Sequence, residues 1–513
     1  VTTPSSRFQG EFSLEPQVTA TEILSEGLEI GVKDGKIVCL GFSLPVSEGT
    51  RVLDAQGAYI TPGGVDSHVH LQQPDLPAGD TWESGTRGAI AGGTTTVICF
   101  AGQKKTDESL FPIIQDYHSK AKGFSYCDYG FHMIVTNPTP SIVQNEFKAL
   151  VEQEGITSVK LYMTYDRLKI GDRGILDIMM SARALGITTM IHAENSDMIA
   201  LITERLEERG LTDPYYHAIS RPSIAESEAT YRAISLAELI DVPILLVHVS
   251  SQSAVNHIRD AQTRMLPIHG ETCPQYLYLL SENLKSSDFE GAKYVCSPPL
   301  RHETSDLDAL WEAIANGTFT TLSSDHAPAD YHGPIGKRSG IIDGKPVFAM
   351  IPNGLPGIET RIPLLFEGAV GDKAKITLPR FVQVTSWNPA KLYGLSGVKG
   401  NIAPGYDADL VIWYPPGHDF STDGSKTDKV EISVSKLHHD TDYTPYEGMT
   451  VANWPRYTVV RGEVVWDRDG GGIVGKRDFG QFLKRKPGGV VQGRFPSNVP
   501  PRGMYRGERD LWA

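Results

Sequence analysis

Six side chains in this sequence have the types that hold a metal ion and activate water. They are His68 and His70 in Asp66-Ser-His-Val-His70, Lys160 in Ser-Val-Lys-Leu-Tyr-Met, His192 in Ile-His-Ala-Glu-Asn, His248 in Val-His-Val-Ser-Ser, and Asp325 in Ser-Ser-Asp-His-Ala-Pro. Imidazoles and a carboxylate facing one cavity suit Zn²⁺. In a β-strand, a His-X-His spacing turns both rings to the same side, because side chains alternate. Each residue also has a plainer reading. A His pair can simply be hydrogen-bonded, and an Asp at a strand end can cap the following helix. Lys160 is the odd member, since an ammonium repels cations and its burial costs free energy unless its pKa falls. Either it pairs with Asp325 or a loop carboxylate, or its neutral amine captures CO₂. The resulting carbamate is an anionic two-oxygen ligand able to bridge two Zn²⁺ about 3.5–4 Å apart.

The elements around these residues give the set its meaning. Apolar runs recur at Ala58–His70, Thr94–Phe100, Tyr129–Val135, Ser158–Met163, Thr188–His192, Ile244–Ser250, Leu266–Thr272 and Phe319–Asp325. Helical patterns lie between several of them, including Ile142–Glu154, Gly174–Leu185, Ile224–Leu239, Gln252–Met265 and Ser305–Ala315. Continuously apolar strands alternating with helices imply a parallel sheet covered on both faces, and eight in succession imply a closed (β/α)₈ TIM-like barrel. The six residues then fall at the carboxyl ends of strands 1, 4, 5, 6 and 8, where such barrels carry their chemistry.

Outside the barrel the texture changes. Short alternating strands with Asp34-Gly35 and Arg461-Gly462 turns read as hairpins. The expected organisation is a β-sandwich domain built from 1–58 and 396–475, a catalytic barrel over 59–395, and an extended arm over 476–513. The Gly/Pro/Arg-rich arm has no periodicity and is expected either to be disordered or to lie on another subunit.

The chain has 513 residues, 40% apolar and 21% charged, which excludes disorder over most of its length. A net charge of −14 without a basic run argues against nucleic acid or anionic membranes as partners. No run approaches the ~20 apolar residues of a membrane span, and the first thirty residues show no signal-peptide design. Five cysteines, an odd number set mostly in apolar runs, suggest reduced thiols and a cytoplasmic home.

At this level of detail the sequence resembles the amidohydrolase superfamily and, within it, the dihydropyrimidinase/hydantoinase family. The phrases that carry the likeness are Gly-Gly-Val-Asp-Ser-His-Val-His (63–70), Gly-Gly-Thr-Thr-Thr (92–96), Cys-Asp-Tyr-Gly-Phe-His (127–132) and Ser-Val-Lys-Leu-Tyr-Met-Thr-Tyr (158–165). They continue with His-Ala-Glu-Asn (192–195), Arg-Pro-Ser-Ile-Ala-Glu-Ser-Glu-Ala-Thr (221–230), Cys-Ser-Pro-Pro-Leu-Arg (296–301), Ser-Asp-His (324–326), Ile-Pro-Asn-Gly-Leu-Pro-Gly (351–357) and Asp-Ala-Asp-Leu-Val-Ile (407–412). The likeness runs from about residue 28 to 485.

The resemblance implies two Zn²⁺ per subunit, one held by His68, His70 and Asp325, the other by His192 and His248, with N6-carboxylated Lys160 bridging them. It implies a hydroxide shared by the metals as nucleophile and Asp325 as general acid and base. Tyr165 would hydrogen-bond the developing oxyanion, and the backbone at Ser297 and Asn353 would read the ring amide or imide. The residues also allow plainer roles: Tyr165 as a loop aromatic, Ser297 and Asn353 as turn residues. The implied reaction opens 5,6-dihydropyrimidines (dihydrouracil, dihydrothymine) and hydantoins to N-carbamoyl amino acids, a step of pyrimidine catabolism, in a homotetramer. Dihydroorotase-like relatives carry an Arg two residues after His-X-His; here the residue is Gln72, which disfavours an anionic ring. An allantoinase-type ureide hydrolase is the alternative, suggested by Ser-Asp-His-Ala-Pro, and an interaction protein that has lost its ligands is another. All six ligand positions are filled, which speaks against the latter. Loops 71–81 and 162–172 are expected to cover the mouth, with Leu71, Tyr162 and Leu168 as walls around the ring substituent.

Overall fold

The computed structural model describes residues 10–13, 17–24, 27–73, 79–333, 335–489 and 493–495. Its central sheet contains eight strands joined in chain order: β1 (Gly64–Val69), β2 (Thr94–Gly102), β3 (Asp128–Ile134), β4 (Ser158–Tyr162), β5 (Thr188–His192), β6 (Ile244–Leu246), β7 (Ile268–Thr272) and β8 (Thr321–Leu322). Every recorded pairing within this sheet is parallel. The seam between β8 and β1 is drawn together at the strand ends by a parallel bridge, Val69 to His326, and by a 2.8 Å hydrogen bond from His70 N to His326 O. Asp66 reinforces it by accepting from Ser324 N at 3.1 Å. The result is the expected TIM-like barrel.

All eight apolar runs supply a barrel strand. The first also supplies something else: Ile60–Pro62 pairs antiparallel with Leu410–Ile412 in a separate five-stranded sheet, and the chain enters the barrel only after Gly63. A four-stranded sheet contains the hairpin Glu29–Lys33/Lys36–Gly41, and its residues share a core with the five-stranded one through Ile30, Ile37, Ile60, Leu410 and Val459. Both predicted hairpin turns have positive φ at their two central residues (Asp34 52°, Gly35 78°; Arg461 44°, Gly462 77°), which matches the twist of the strands they join.

Helices cover the outside of the barrel. Trp82–Ala91, Phe111–Ala121, segment 142–154, Asp172–Leu185, Ser196–Glu208, Ser223–Ile240, Gln252–Thr263 and Thr304–Ala315 lie between successive strands. Two begin directly after candidate ligands. Asn195, three residues past His192, caps Ser196–Glu208 by accepting from Asp197 N and Met198 N; Ser251, three past His248, caps Gln252–Thr263. These caps turn the chain away immediately after each imidazole, so the ring stays at the strand end.

The arm is docked on its own barrel as far as it is described. Tyr129 N donates to Gln481 O (2.9 Å), Leu483 N to Tyr129 O (2.7 Å) and Arg485 N to Gly155 O (3.0 Å), at the end opposite the mouth. The buried Arg485 guanidinium donates to Phe131 O and to Ser158 Oγ. This corrects the expectation of disorder for 476–489 and 493–495, which bond to their own chain; the remainder lies outside the described residues. The arm supplies extended backbone and one long cation, both of which satisfy carbonyls at the barrel's open lower rim.

Candidate active site

The barrel mouth is a cavity of about 520 Å³ whose walls include His68, His70, Lys160, His192, His248 and Asp325. Alternation on β1 aims His68 and His70 inward, and the two rings lie 5.4 Å apart. Both present Nε2 to the same oxygen, Asp325 Oδ1, at 3.1 and 3.5 Å. Among the described residues, Asp325 caps no helix. His248 stands 5.4 Å from His68 and 4.4 Å from His192, ring to ring. Lys160 Nζ lies 3.5 Å from His68 Nε2 and, among the described residues, has no carboxylate as close. His248 (φ 39°), Asp325 (φ 47°) and Tyr165 (φ 66°) all hold left-handed backbone, a conformation that costs non-glycine residues free energy.

Three buried groups that the sequence reading passed over orient the rings. Glu271, on β7, lies 2.7 Å from His68 Nδ1; Gln73 Oε1 lies 3.0 Å from His70 Nδ1; Glu194 Oε2 lies 2.7 Å from His192 Nε2. Each fixes one ring nitrogen, and for His68 and His70 the other is at Asp325, the arrangement that metal-binding histidines use. The same Glu194 oxygen accepts from Arg221 at 2.7 Å, and Arg221 in turn lies over the Tyr165 ring. A sequence signal existed for two of them: Glu271 is a carboxylate on an apolar strand, and Glu194 sits two residues from His192.

The electrostatics suit cation binding. Burial lowers the pKa of His70 and His192, and burial with His192 and Lys160 nearby holds His248 well below its ordinary value. Neutral imidazoles keep the lone pairs that a metal needs. For His68, burial and Lys160 act downward, but Asp325 and Glu271 outweigh them and its pKa is raised. Burial acts against the Asp325 anion, yet His68 and His70 hold its pKa well below the carboxylate range. Burial brings Lys160 down to about 8. One donor atom each from His68, His248 and Asp325 lies within 4.8 Å of the others, and His248 Nδ1 is buried without a hydrogen-bond partner. This donor set fits divalent cations.

Tyr165, Ser297 and Asn353 also line the cavity. Asn353 Nδ2 donates to Tyr165 Oη at 3.4 Å, and the Asn353 Oδ1 acceptor is buried and unpartnered. Burial raises the Tyr165 pKa, so the phenol stays protonated. Of the expected walls, Tyr162 and Leu168 line the cavity, but Leu71 does not. One residue past His70, it points away from the mouth and packs fully buried in the main core, against the face of helix Trp82–Ala91 that bears Gly85. Gln72 turns aside too, its Oε1 accepting from Trp82 N at 3.4 Å. Residues 74–78 of the expected lid lie outside the described residues.

Comparison with known proteins agrees with this architecture. The model of the amidohydrolase family matches residues 59–465. A protein named D-hydantoinase from Geobacillus stearothermophilus is 43% identical over 92% of this chain and 96% of its own length. A D-hydantoinase from Ralstonia pickettii is 38% identical over 91% of this chain and 97% of its own. The crystal structure of dihydropyrimidinase from Brevibacillus agri NCHU1002 superposes with a TM-score of 0.86 at 38% identity, covering 93% of this chain and 99% of that one.

Proposed function

Because the chain belongs to the amidohydrolase family, as a cyclic amide hydrolase of the hydantoinase/dihydropyrimidinase type, we propose that it uses two zinc ions to open dihydrouracil, dihydrothymine and hydantoins to N-carbamoyl amino acids. The observation that carries this reading is the convergence of His68, His70, Lys160, His192, His248 and Asp325 on one cavity, with three of the four rings oriented by Glu271, Gln73 and Glu194. His68, His70 and Asp325 would hold one ion and His192 and His248 the other. Lys160 would bridge them after its neutral amine adds CO₂ and loses a proton. When bound, such a pair lowers the pKa of water to about 7 and polarises an amide carbonyl.

The chain's own groups do the rest. Asp325, held ionised at the mouth, accepts the proton of the attacking water and returns it to the departing ring nitrogen, without which the amine is a poor leaving group. Tyr165 keeps its phenolic proton and donates to the oxygen on which charge develops. Backbone groups at Ser297 and Asn353 read the ring's amide or imide, while Tyr162 and Leu168 face its substituent. Family habit supports a homotetramer, and five free cysteines support the cytoplasm.

A substrate panel on metal-replete enzyme tests the proposal. Dihydrouracil and a 5-substituted hydantoin should be opened, with dihydroorotate turned over far more slowly. Turnover confined to allantoin would replace this reading with the allantoinase one, and no turnover of any cyclic amide would overturn it.

A further inference from the structure

Ser297 and Asn353 come from separate irregular excursions, 273–303 after β7 and 326–360 after β8. Reading one small ring with backbone groups from both requires that the two segments keep a fixed spacing. Lys337, on the same 326–360 excursion as Asn353 but sixteen residues before it, sits fully buried behind them. Its Nζ donates to Val295 O at 2.7 Å, two residues before Ser297, and to Pro352 O at 2.7 Å, immediately before Asn353. Gly354 N adds a 3.2 Å bond to the same Val295 carbonyl. Lys337 is itself anchored, its backbone N donating to Asp330 O at 2.7 Å.

We propose that Lys337 is a positioning residue that ties the Ser297 and Asn353 segments into a single substrate-reading floor. It touches neither the cavity nor, among the described residues, any carboxylate at ion-pair distance, so it acts through the backbone it holds. Burying an ammonium without a counter-charge is unfavourable, and burial brings its pKa down to about 7. An apolar side chain would fill the space more cheaply but would leave one buried and one partly buried carbonyl without this donor. Protonated or neutral, the amine keeps at least two N–H groups, so the tie does not depend on its charge.

The inference rests on the proposed reading of Ser297 and Asn353, and its test separates the two. Lys337→Met keeps length and volume but removes the donors. With dihydrouracil it should raise KM about tenfold while kcat falls by less than about threefold, because ground-state and transition-state binding are lost together. Hydrogen exchange should quicken in peptides covering 295–299 and 352–356 and stay unchanged in those covering 64–70 and 188–192. Lys337→Gln, shorter but still a donor, should fall between wild type and Lys337→Met, and it carries the same readouts if the methionine variant does not fold. An unchanged KM in a variant of an active wild type, or unchanged exchange at both segments, overturns the inference. A wild type that opens no ring removes the proposed function, and the exchange measurement then still decides whether Lys337 ties the segments.

Discussion

Lys160 is a buried amine whose ordinary pKa of 10.5 is brought down to about 8 by loss of hydration. Carboxylation consumes the neutral amine, whose share rises with pH up to the pKa and then levels off. Reactivation of metal-stripped enzyme by zinc at constant dissolved CO₂ should therefore quicken about tenfold per pH unit below about 8 and flatten above it. A rate still climbing steeply toward pH 10 would show an amine that the site does not perturb. Glu271 provides a second test, because it fixes the Nδ1 of His68. Glu271→Gln should weaken zinc retention about 10–100-fold in chelator competition. The ligand candidates were legible because strand alternation and barrel topology bring them to one end. Glu271 and Gln73 were harder to read, because their roles are hydrogen bonds made only once the barrel closes.

At the scale of elements, alternation on β1 and its extension decides which residues meet substrate. His68 and His70 face the mouth, so Leu71 belongs to the packing between barrel and helices. Leu71→Ala should destabilise the protein by about 2–5 kcal/mol and leave the ranking of substrates intact. Leu168→Ala, which enlarges the mouth itself, should change the ratio of bulky-hydantoin to dihydrouracil turnover with little loss of stability; thermal unfolding and paired kinetics read both. The eight barrel strands were visible as apolar runs because both their faces are covered. The split of the first run was not: Ile60–Pro62 and Gly64–Val69 follow one another with only Gly63 between them, and their distant partners separate them. The arm was misread for a related reason, since extended backbone that pairs with a barrel rim has no periodicity of its own.

Across the whole molecule, the barrel and the smaller sheets meet at a buried charge cluster. Lys399 Nζ reaches Asp128 at the start of β3 (2.6 Å) and Asp407 and Asp409 (2.9 and 2.8 Å) beside the five-stranded sheet. Arg461, from the Arg461-Gly462 hairpin, joins Asp128 from the other side. Removing the central cation leaves the carboxylates short of a partner, so Lys399→Met should cost about 3–5 kcal/mol. Catalysis per folded molecule should be preserved, because no member of the cluster lines the mouth. A variant as stable as wild type would mean that the two parts do not depend on this contact.

The central claim is that Lys160 becomes a carbamate joining two metal ions, and ¹³C NMR of enzyme reconstituted with zinc in ¹³C-bicarbonate addresses it directly. The account predicts one carbamate carbon signal per chain, lost in Lys160→Ala. A fully active, zinc-loaded enzyme with no such signal would contradict it.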